Sequence, residues 1–176
     1  LRMYGSRKNN MSGWFANANA GKRSIGLDLS QDEAKEILWS FIKEADVFIE
    51  GFRPGAVARL GFSSKEALSL NPSLIYVSSS GFGSRGPYSG RPVYDPVIQA
   101  LSGWAGAQRN ESKPNLIRGM VADKVAALTT SQAITAALLA RSKSSSGEMA
   151  SMSRWACGTR SMLRILSSST SALGGR

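Results

Sequence analysis

The 176-residue sequence is long enough for one domain with a substantial core, and its 42% hydrophobic and 19% charged residues are typical of a globular protein. It has no histidine and one cysteine, Cys157, which excludes an intrachain disulfide, imidazole catalysis and a histidine metal site. The net charge of +10 lies on the two ends, because residues 26–140 hold 11 basic and 11 acidic side chains, and this argues against a nucleic-acid partner.

The sequence also lacks membrane and secretion signals. It contains no run of about 18 apolar residues and no signal-peptide core. Together with the lone cysteine, this predicts a cytoplasmic protein with no membrane partner. The chain starts at Leu1 rather than at methionine, so we expect it to be a fragment.

The first predicted elements are a strand and a helix. Residues 1–21 are polar and show no period, whereas residues 24–29 predict a short strand. Ser30 and Glu33 form a capping-box pattern that marks a helix start. A helix with one apolar face follows, as indicated by the helical spacing of Ala34, Ile37, Leu38, Phe41, Ile42 and Ala45.

The next elements predict an α/β fold. Residues 47–50 and 74–78 predict two strands, and between them lie a helical turn at 57–60 and a short helix capped by Ser63 or Ser64 and ending at Leu70. The resulting β-α-β-α-β order is typical of a parallel sheet with right-handed crossovers. Both strands lead into glycine-bearing loops, which is the local form of a ligand site in such folds.

The second half of the chain predicts two helices and a tail. A helix is expected over residues 95–104, a loop over 106–115, and a long helix from Asp123 to about Arg141 that is apolar on most sides and therefore buried. Residues 142–176 are basic and serine-rich and keep no period. We therefore predict one α/β domain over residues 1–141 and a poorly ordered tail over residues 142–176.

An ordered set of short motifs resembles the class III CoA-transferases, a family that includes formyl-CoA transferase, carnitine CoA-transferase and α-methylacyl-CoA racemase. The resemblance covers about residues 21–141, and its motifs are Gly21-Lys22-Arg23-Ser24-Ile25-Gly26-Leu27-Asp28-Leu29, Phe52-Arg53-Pro54-Gly55, Arg59-Leu60-Gly61, Asn71-Pro72-Ser73-Leu74-Ile75, Ser80-Gly81-Phe82-Gly83, Gly86-Pro87-Tyr88 and Tyr94-Asp95. The resemblance implies a Rossmann-like, open and mainly parallel sheet with flanking helices, as part of the large domain of a CoA-transferase.

The same resemblance implies an activity and its partners. Members transfer CoA between an acyl-CoA thioester and a small carboxylic acid, and they act as homodimers. Coenzyme A, as the acyl-CoA substrate, is the implied ligand, and no metal is expected. Residues at the positions of the family's CoA-binding segments are Leu27, Asp28, Leu29, Ser30, Gly51, Phe52, Arg53, Arg59, Pro92, Val93, Tyr94 and Asp95.

These candidate residues also have structural interpretations. Arg59 would suit a CoA phosphate through a bidentate contact, or it is a solvated helix arginine. Phe52 offers a flat face to the adenine or pantetheine, or it packs in the core. Asp95 contacts the ligand or caps the helix that it begins. Gly51 stands where the family usually has Asn, which removes one side-chain hydrogen-bond partner.

The catalytic residue is the main departure from the family. Its members use an Asp nucleophile that would fall near Ala156, but the sequence has no Asp after Asp123. Asp123 is a catalytic candidate, since an Asp at the start of this helix is an acid/base in the racemases, or it is a helix N-cap. Glu148 is a further candidate nucleophile.

The resemblance to the family stops at about Gly147 and Glu148. This predicts a member that is truncated or frameshifted beyond residue 147 and lacks the catalytic Asp. Three functions then stay open. The chain is part of a CoA-transferase, part of an α-methylacyl-CoA racemase-like enzyme, or a non-catalytic CoA-binding or oligomerisation fragment.

Overall fold

Short helices and strands alternate along the chain, whose computed structural model describes residues 2–111, 113–143 and 157–158. In chain order the elements are β1 (Arg7–Lys8), β2 (Met11–Ser12), α1 (Gly13–Ala18), α2 (Asp32–Glu44), β3 (Val47–Glu50), α3 (Ala56–Arg59), α4 (Ser64–Leu70), β4 (Ile75–Ser80), α5 (Asp95–Leu101), α6 (Trp104–Ala107), α7 (Val121–Lys143) and β5 (Cys157–Gly158). Among these helices, none is both long and apolar enough to cross a bilayer.

A parallel sheet of three strands, in the order β3-β4-β5, forms the centre of the fold. β3 pairs with the first four residues of β4, from Val47 beside Ile75 to Glu50 beside Ser78. β5 pairs with the last two, Ser79 and Ser80. The β3–α3–α4–β4 crossover places both strands in one direction, which confirms the predicted α/β class with a parallel sheet and flanking helices.

The predicted strand at residues 24–29 is wrong. These residues have no regular structure, and Ile25 is 60% exposed. A strand needs a neighbouring strand for its backbone groups. Among the described residues, β3 has β4 on one side and no strand on the other, so this segment has no ladder to join.

The predicted capping box at Ser30 is also wrong, although the helix that it introduced is confirmed as α2. The Ser30 hydroxyl donates to the Asp28 carboxylate at 2.7 Å, and Gln31 occupies the N-cap without a side-chain hydrogen bond that caps the helix. A local turn has therefore captured the capping hydroxyl. The apolar face is only partly buried, because Ile42 lies in the core while Phe41 is 52% exposed.

A hydrophobic core lies between the sheet and helices α2, α3 and α4. Its buried members are Ile42, Val57, Phe62, Ala67, Leu74 and Tyr76. The Phe62 ring lies 5.0 Å from that of Trp39, and the Tyr76 ring lies 5.3 Å from that of Phe48. The Tyr76 hydroxyl donates to the Phe62 carbonyl at 3.1 Å, so the polar end of this buried ring has a partner.

Two polar side chains fix the helices that cross between β3 and β4. Ser63 caps α4 in a complete capping box with Glu66, as one of the two predicted alternatives required. Asn71 follows α4, and its buried amide donates to the carbonyls of Ile42 and Ala45 at 3.1 and 2.9 Å. Asn71 thereby satisfies carbonyls at the end of α2 and positions the start of β4 beside it.

The helix predicted over residues 95–104 is divided into α5 and α6. Gly103 adopts φ +88° between them, a left-handed conformation that ends a helix. The long helix is confirmed as α7, but it begins at Val121, two residues before Asp123. Its Arg141 binds the Ser73 carbonyl at 2.8 Å and the Asp46 carboxylate at 2.5 Å, so its far end is held against the sheet.

The prediction that α7 is buried on several sides is wrong for the described residues. Only Ala137 is buried along this helix, and Leu128 is 67% exposed. Helix α7 packs against α5, β4 and β5, but Leu128 and Leu139 stay exposed in the described part of the chain. The sequence shows that the helix is apolar on most sides, but it does not show how many other helices and strands pack against it.

Residues 1–21 contain structure that the sequence pattern did not predict. β1 and β2 form an antiparallel pair, and the Ser12 hydroxyl accepts from the Phe15 N–H at 3.0 Å to cap α1. Of the predicted poorly ordered tail, the structure describes Ser142 and Lys143, the last two residues of α7, and then only the backbone of β5. Residues 144–156 and 159–176 lie outside the described residues, so disorder there stays a prediction.

Candidate functional site

The two central strands of the sheet end at the same edge. β3 and β4 are parallel, so the residues after Glu50 and those after Ser80 both leave from the carboxyl edge. Ligands of open α/β folds bind outside this edge, where loops from neighbouring strands diverge. The structure therefore brings together two of the predicted site segments, 51–53 and 92–95, around the carboxyl ends of β3 and β4.

The first segment presents an aromatic ring to solvent. The Phe52 N–H donates to the Glu50 carboxylate at 2.9 Å, which closes a tight turn directly after β3. The Phe52 side chain is 55% exposed, so the structure does not place it in the core. A β-carbon on Gly51 would lie 3.7 Å from the Ser79 carbonyl oxygen, so this backbone runs beside β4. The turn thus offers a flat apolar face at the edge of the sheet.

Arg59 lies over the turn that follows. Gly55 has φ +79° and begins α3, whose last residue is Arg59. A β-carbon on Gly55 would lie 3.2 Å from Nη1 of Arg59, so the guanidinium folds back across the turn. Arg53 is exposed in the same turn. The Arg59 guanidinium thus lies close to the turn that contains Arg53, and guanidinium groups suit a phosphate.

The second segment packs against the end of β4. A β-carbon on Gly81 would lie 1.8 Å from Cγ1 of Val93, a distance that no side chain could accept. Only glycine allows this close approach. Pro92, Val93 and Tyr94 therefore cross directly over the residue that follows β4, and Tyr94 is 80% exposed at this point. The sequence motif containing Gly81 serves this contact as well as a turn.

Asp95 is buried and its carboxylate has internal partners. One oxygen accepts from the Gln99 amide at 2.5 Å, and the other accepts from the N–H groups of Ala122 and Asp123 at 2.6 and 3.2 Å. Asp95 therefore caps α7 and makes no side-chain cap on α5, the helix that it begins. Ligand contact by Asp95 stays a prediction, and its carboxylate oxygens are already engaged.

Gln99 is a site residue that the sequence did not reveal. Its side chain is 1% exposed, donates to the Ile117 carbonyl at 3.2 Å and accepts from the Ile117 N–H at 2.8 Å. It lies four residues after Asp95, so both face the same side of α5. That spacing was the available signal, and a polar pair on one helix face is more often solvated than buried.

Asp123 is exposed in the first turn of α7 and does not occupy the N-cap position. Partial burial and the nearby negative charge of Asp95 raise the pKa of Asp123 above its usual value. The adjacent Lys124 places its ammonium 5.3 Å from the centre of the Trp14 ring. Helix capping by Asp123 is therefore a wrong interpretation, and its catalytic role stays a prediction.

The remaining predicted segment forms a turn before α2. Asp28 accepts from the N–H and hydroxyl of Ser30 at 3.0 and 2.7 Å, and these hydrogen bonds lower the pKa of its carboxyl. Leu29 packs against the core cluster that contains Val57 of α3, while Leu27 is half-buried. Ligand contact by these four residues stays a prediction. The expected nucleophile position at Ala156 and the candidate Glu148 lie outside the described residues.

A groove of about 530 Å³ adjoins the second segment. It lies between the loop after β4 and helix α5, and its lining residues are Phe82, Tyr88, Arg91, Pro92, Pro96, Val97, Ala100 and Leu101. The Phe82 and Tyr88 rings are 5.5 Å apart, and the Arg91 guanidinium lies 4.8 Å from the centre of the Tyr88 ring.

Comparisons with known proteins point to one family. The sequence model described as CoA-transferase family III matches residues 1–171. The chain is 45% identical over 102 residues to the acetyl-CoA:oxalate CoA-transferase of Acetobacter aceti, which covers 58% of this chain and 26% of the relative. It is 36% identical over 136 residues to the formyl-CoA:oxalate CoA-transferase of Streptomyces coelicolor, covering 77% of this chain and 33% of the relative.

A solved structure has the same fold. The crystal structure of a CAIB/BAIF family protein from Brucella suis superposes with a TM-score of 0.76 at 29% identity, over 95% of this chain and 47% of that one. The chain thus spans between about a quarter and a third of the length of the curated relatives named above. Both relatives are transferases, so the racemase alternative is not favoured.

Proposed function

Because this chain belongs to CoA-transferase family III, we propose that it forms the CoA-binding part of an enzyme that moves CoA from an acyl-CoA thioester to a carboxylic acid. The observation that carries this proposal is the convergence at the carboxyl edge of the sheet. The exposed Phe52 ring, the Arg59 guanidinium over Gly55, and the 92–95 segment packed on Gly81 surround the ends of β3 and β4.

These groups fit the chemical parts of coenzyme A. The phosphates are anionic and would be held by Arg53 and Arg59 through charge-assisted hydrogen bonds. The flat Phe52 ring suits the adenine or the pantetheine chain. Gly51 allows the backbone beside β4 to approach a ligand closely. The segments with Leu27, Asp28, Leu29 and Ser30 and with Pro92, Val93, Tyr94 and Asp95 complete the proposed set.

The chemistry of the intact enzyme would be covalent catalysis by a carboxylate. Its oxygen attacks the thioester carbonyl carbon, the carbon–sulfur bond breaks, and CoA leaves as the thiolate with formation of an anhydride. Return of the thiolate to the enzyme's carboxyl carbon releases the first acid and leaves an enzyme thioester. The acceptor carboxylate then attacks the enzyme thioester, expels the CoA thiolate and forms a second anhydride. The thiolate attacks the acceptor's acyl carbon of this anhydride, which gives the product thioester and regenerates the enzyme carboxylate.

We propose that this chain binds CoA but does not carry the nucleophile. The sequence has no Asp after Asp123, where the family's catalytic Asp would lie. The raised pKa of Asp123 means that its carboxyl holds a proton more readily than an unperturbed Asp does, which suits a role in proton transfer. Asp123 is therefore proposed as an acid or base rather than as the acylated group.

The partners of the intact protein are proposals of the same kind. The donor is an acyl-CoA and the acceptor a small carboxylic acid, the chemical class to which the oxalate in the names of two relatives belongs. A homodimer would cover apolar side chains that are exposed here on α2 and α7, such as Phe41 and Leu128. A cytoplasmic location is proposed from the single cysteine.

Calorimetric titration of this chain with CoA tests the proposal. We expect saturable binding, and Arg59→Ala should weaken it about tenfold through loss of a charge-assisted contact. Arg59→Lys keeps the charge without the bidentate geometry, so its CoA affinity should lie between that of the unchanged chain and that of Arg59→Ala. Arg109→Ala, which removes another exposed arginine outside this edge, is the matched control and should bind normally.

Two results would contradict the proposal. One is the absence of CoA binding by a chain whose fold is verified by circular dichroism. The other is an Arg59→Ala affinity equal to that of Arg109→Ala. A transfer assay with acyl-CoA and a carboxylate is expected to show no turnover, and robust turnover would contradict the proposed lack of a nucleophile.

A further inference from the structure

The groove beside helix α5 is a candidate binding site of its own. Its volume of about 530 Å³ lies within the range of small-molecule sites, roughly 300 to 1,000 Å³. One wall is the face of α5 that carries Pro96, Val97, Ala100 and Leu101, and the other is the loop with Phe82 and Tyr88. Most of the residues that line the groove are apolar, so the groove favours an apolar body.

A single cation stands on this apolar wall. The Arg91 guanidinium lies over the Tyr88 ring at 4.8 Å, and its main chain is held by a hydrogen bond from the Arg91 N–H to the Tyr88 carbonyl at 2.9 Å. A guanidinium that stacks on a ring keeps its in-plane N–H groups for an anion, and those groups match the two oxygens of a carboxylate. Among the groove's lining residues, Arg91 is the charged side chain.

The groove is continuous with the candidate CoA site. Pro92 lines the groove and also belongs to the predicted CoA-binding segment. The next residue, Val93, is packed onto Gly81 at the end of β4, so the segment between the groove and the sheet edge has little freedom to move. A ligand in the groove would therefore lie next to the 92–95 segment of the proposed CoA site.

We propose that this groove binds the acceptor acid, and that the acceptor is a monocarboxylic acid with an apolar body, whose carboxylate pairs with Arg91. That the bound acid is the acceptor of CoA rests on the proposed function, but binding of the free acid to the groove can be tested by itself. A two-carbon diacid such as oxalate would place a second charge against carbon and leave most of the groove filled with water. Selection for an apolar body therefore distinguishes this site from one built for oxalate.

The test is titration of the full chain with acetate, octanoate, octanol and oxalate, followed by calorimetry or by ligand-observed NMR. A fully buried methylene is worth about fourfold in affinity, so octanoate should bind at least about tenfold more tightly than acetate. Octanol, which lacks the charge, and oxalate, which lacks the chain, should both bind about tenfold more weakly than octanoate.

Variants separate the two parts of the groove. Arg91→Gln should reduce octanoate affinity about tenfold and leave octanol unchanged. The matched control is Arg85→Gln, since Arg85 is an exposed arginine of the same loop that does not line the groove. Ala100→Trp should fill the groove from an exposed position of α5 and abolish the preference of octanoate over acetate.

Each outcome decides the proposal. Equal affinities for octanoate and acetate, or equal effects of Arg91→Gln and Arg85→Gln, would overturn it. Its failure is distinguishable from that of the proposed function, because CoA is titrated separately. Binding of CoA without octanoate selectivity overturns the groove alone, whereas octanoate binding that depends on Arg91 without any CoA binding supports the groove and contradicts the proposed function.

Discussion

Asp95 and Gln99, four residues apart on α5, hold three parts of the chain together through one buried carboxylate and one buried amide. The carboxylate joins α5 to the start of α7, and the amide holds both backbone groups of Ile117. Within the described residues, the hydrogen bonds of these two side chains all join them to other parts of the protein. Their role at this scale is therefore to fix the 92–95 segment and the groove wall.

Loss of the Asp95 carboxylate should destabilise the protein. Asp95→Ala leaves the Ala122 and Asp123 N–H groups without their cap, and we expect the free energy of unfolding in urea to fall by about 1–2 kcal/mol. Asp123→Asn, the control at the neighbouring carboxyl, removes a like charge without touching the cap and should not destabilise. Equal losses for the two variants would contradict the capping role of Asp95.

Ionisation of the buried Tyr76 should lower the stability of the folded protein at alkaline pH. Burial, with a smaller effect of the Glu50 charge, raises the pKa of Tyr76 from 10.0 to about 12. The folded protein thus holds the phenol proton more tightly than the unfolded chain, so the stability linked to this proton is complete below about pH 10 and is lost as the pH rises to about 12.

The measurement compares urea unfolding of Tyr76→Phe with that of the unchanged protein across this range. Their stability difference should be constant below about pH 10 and shrink between about pH 10 and about 12. Tyr94→Phe, at an 80% exposed tyrosine, should follow the unchanged protein throughout. Parallel profiles for Tyr76→Phe and the unchanged protein would contradict the raised pKa.

At the scale of elements, the loops after β3 and β4 are the parts that the sequence located well. Residues 47–50 and 74–78 predict strands because they are rich in β-branched and aromatic residues and are followed by glycine-bearing loops, and the structure places β3 and β4 there. Residues 24–29 were also predicted as a strand but do not form one. Local pattern cannot supply the neighbouring strand that hydrogen bonding requires.

The contact between Gly81 and Val93 should govern how the second segment sits on the sheet. Gly81→Ala forces a β-carbon to 1.8 Å from the Val93 side chain, so the segment must move. We expect a loss of about 1–3 kcal/mol in stability and weaker CoA binding. Adding Val93→Ala should recover part of both, because it removes the clashing methyl while its own β-carbon stays 3.3 Å from the new one.

A double-mutant cycle is the measurement for this pair. The coupling energy between Gly81→Ala and Val93→Ala should be favourable, since the two residues touch. Gly90→Ala, at a loop glycine with open space around its β-carbon position, is the matched control and should cost little. Additive effects of the two substitutions would contradict a direct contact as the cause.

At the scale of the whole molecule, the sequence predicted the order of elements and the family but not how they close on one another. The buried amide of Asn71, the bridge from Arg141 to Asp46 and the cap from Asp95 to α7 all join residues far apart in sequence. Neither the hydrophobic periodicity nor a sequence motif predicts which residues form such pairs. The same limit explains why α7, which reads as buried on several sides, carries an exposed Leu128 in the described part of the chain.

The candidate site was predictable to the extent that it follows strand ends. Gly51, Phe52, Arg59 and Val93 were named from motif positions, and the structure gathers them at the carboxyl edge. Gln99 and Arg91 were missed because a buried amide and a stacked guanidinium depend on neighbours brought by folding. The segment from Leu27 to Ser30 forms a turn instead of the expected strand, so its contribution to binding depends on experiment.

The way β4 is divided between its neighbours has a consequence for the order of folding. Its first four residues are paired with β3, which precedes it closely, and its last two with β5, which follows only after the whole of α7. Closing the longer loop costs more entropy, so the second pairing is expected to form after the first. Residues Ser79 and Ser80 would then be the last part of the strand to gain protection from amide hydrogen exchange. The proposed binding edge, which begins at these residues, would mature late, after the core beneath it is already in place.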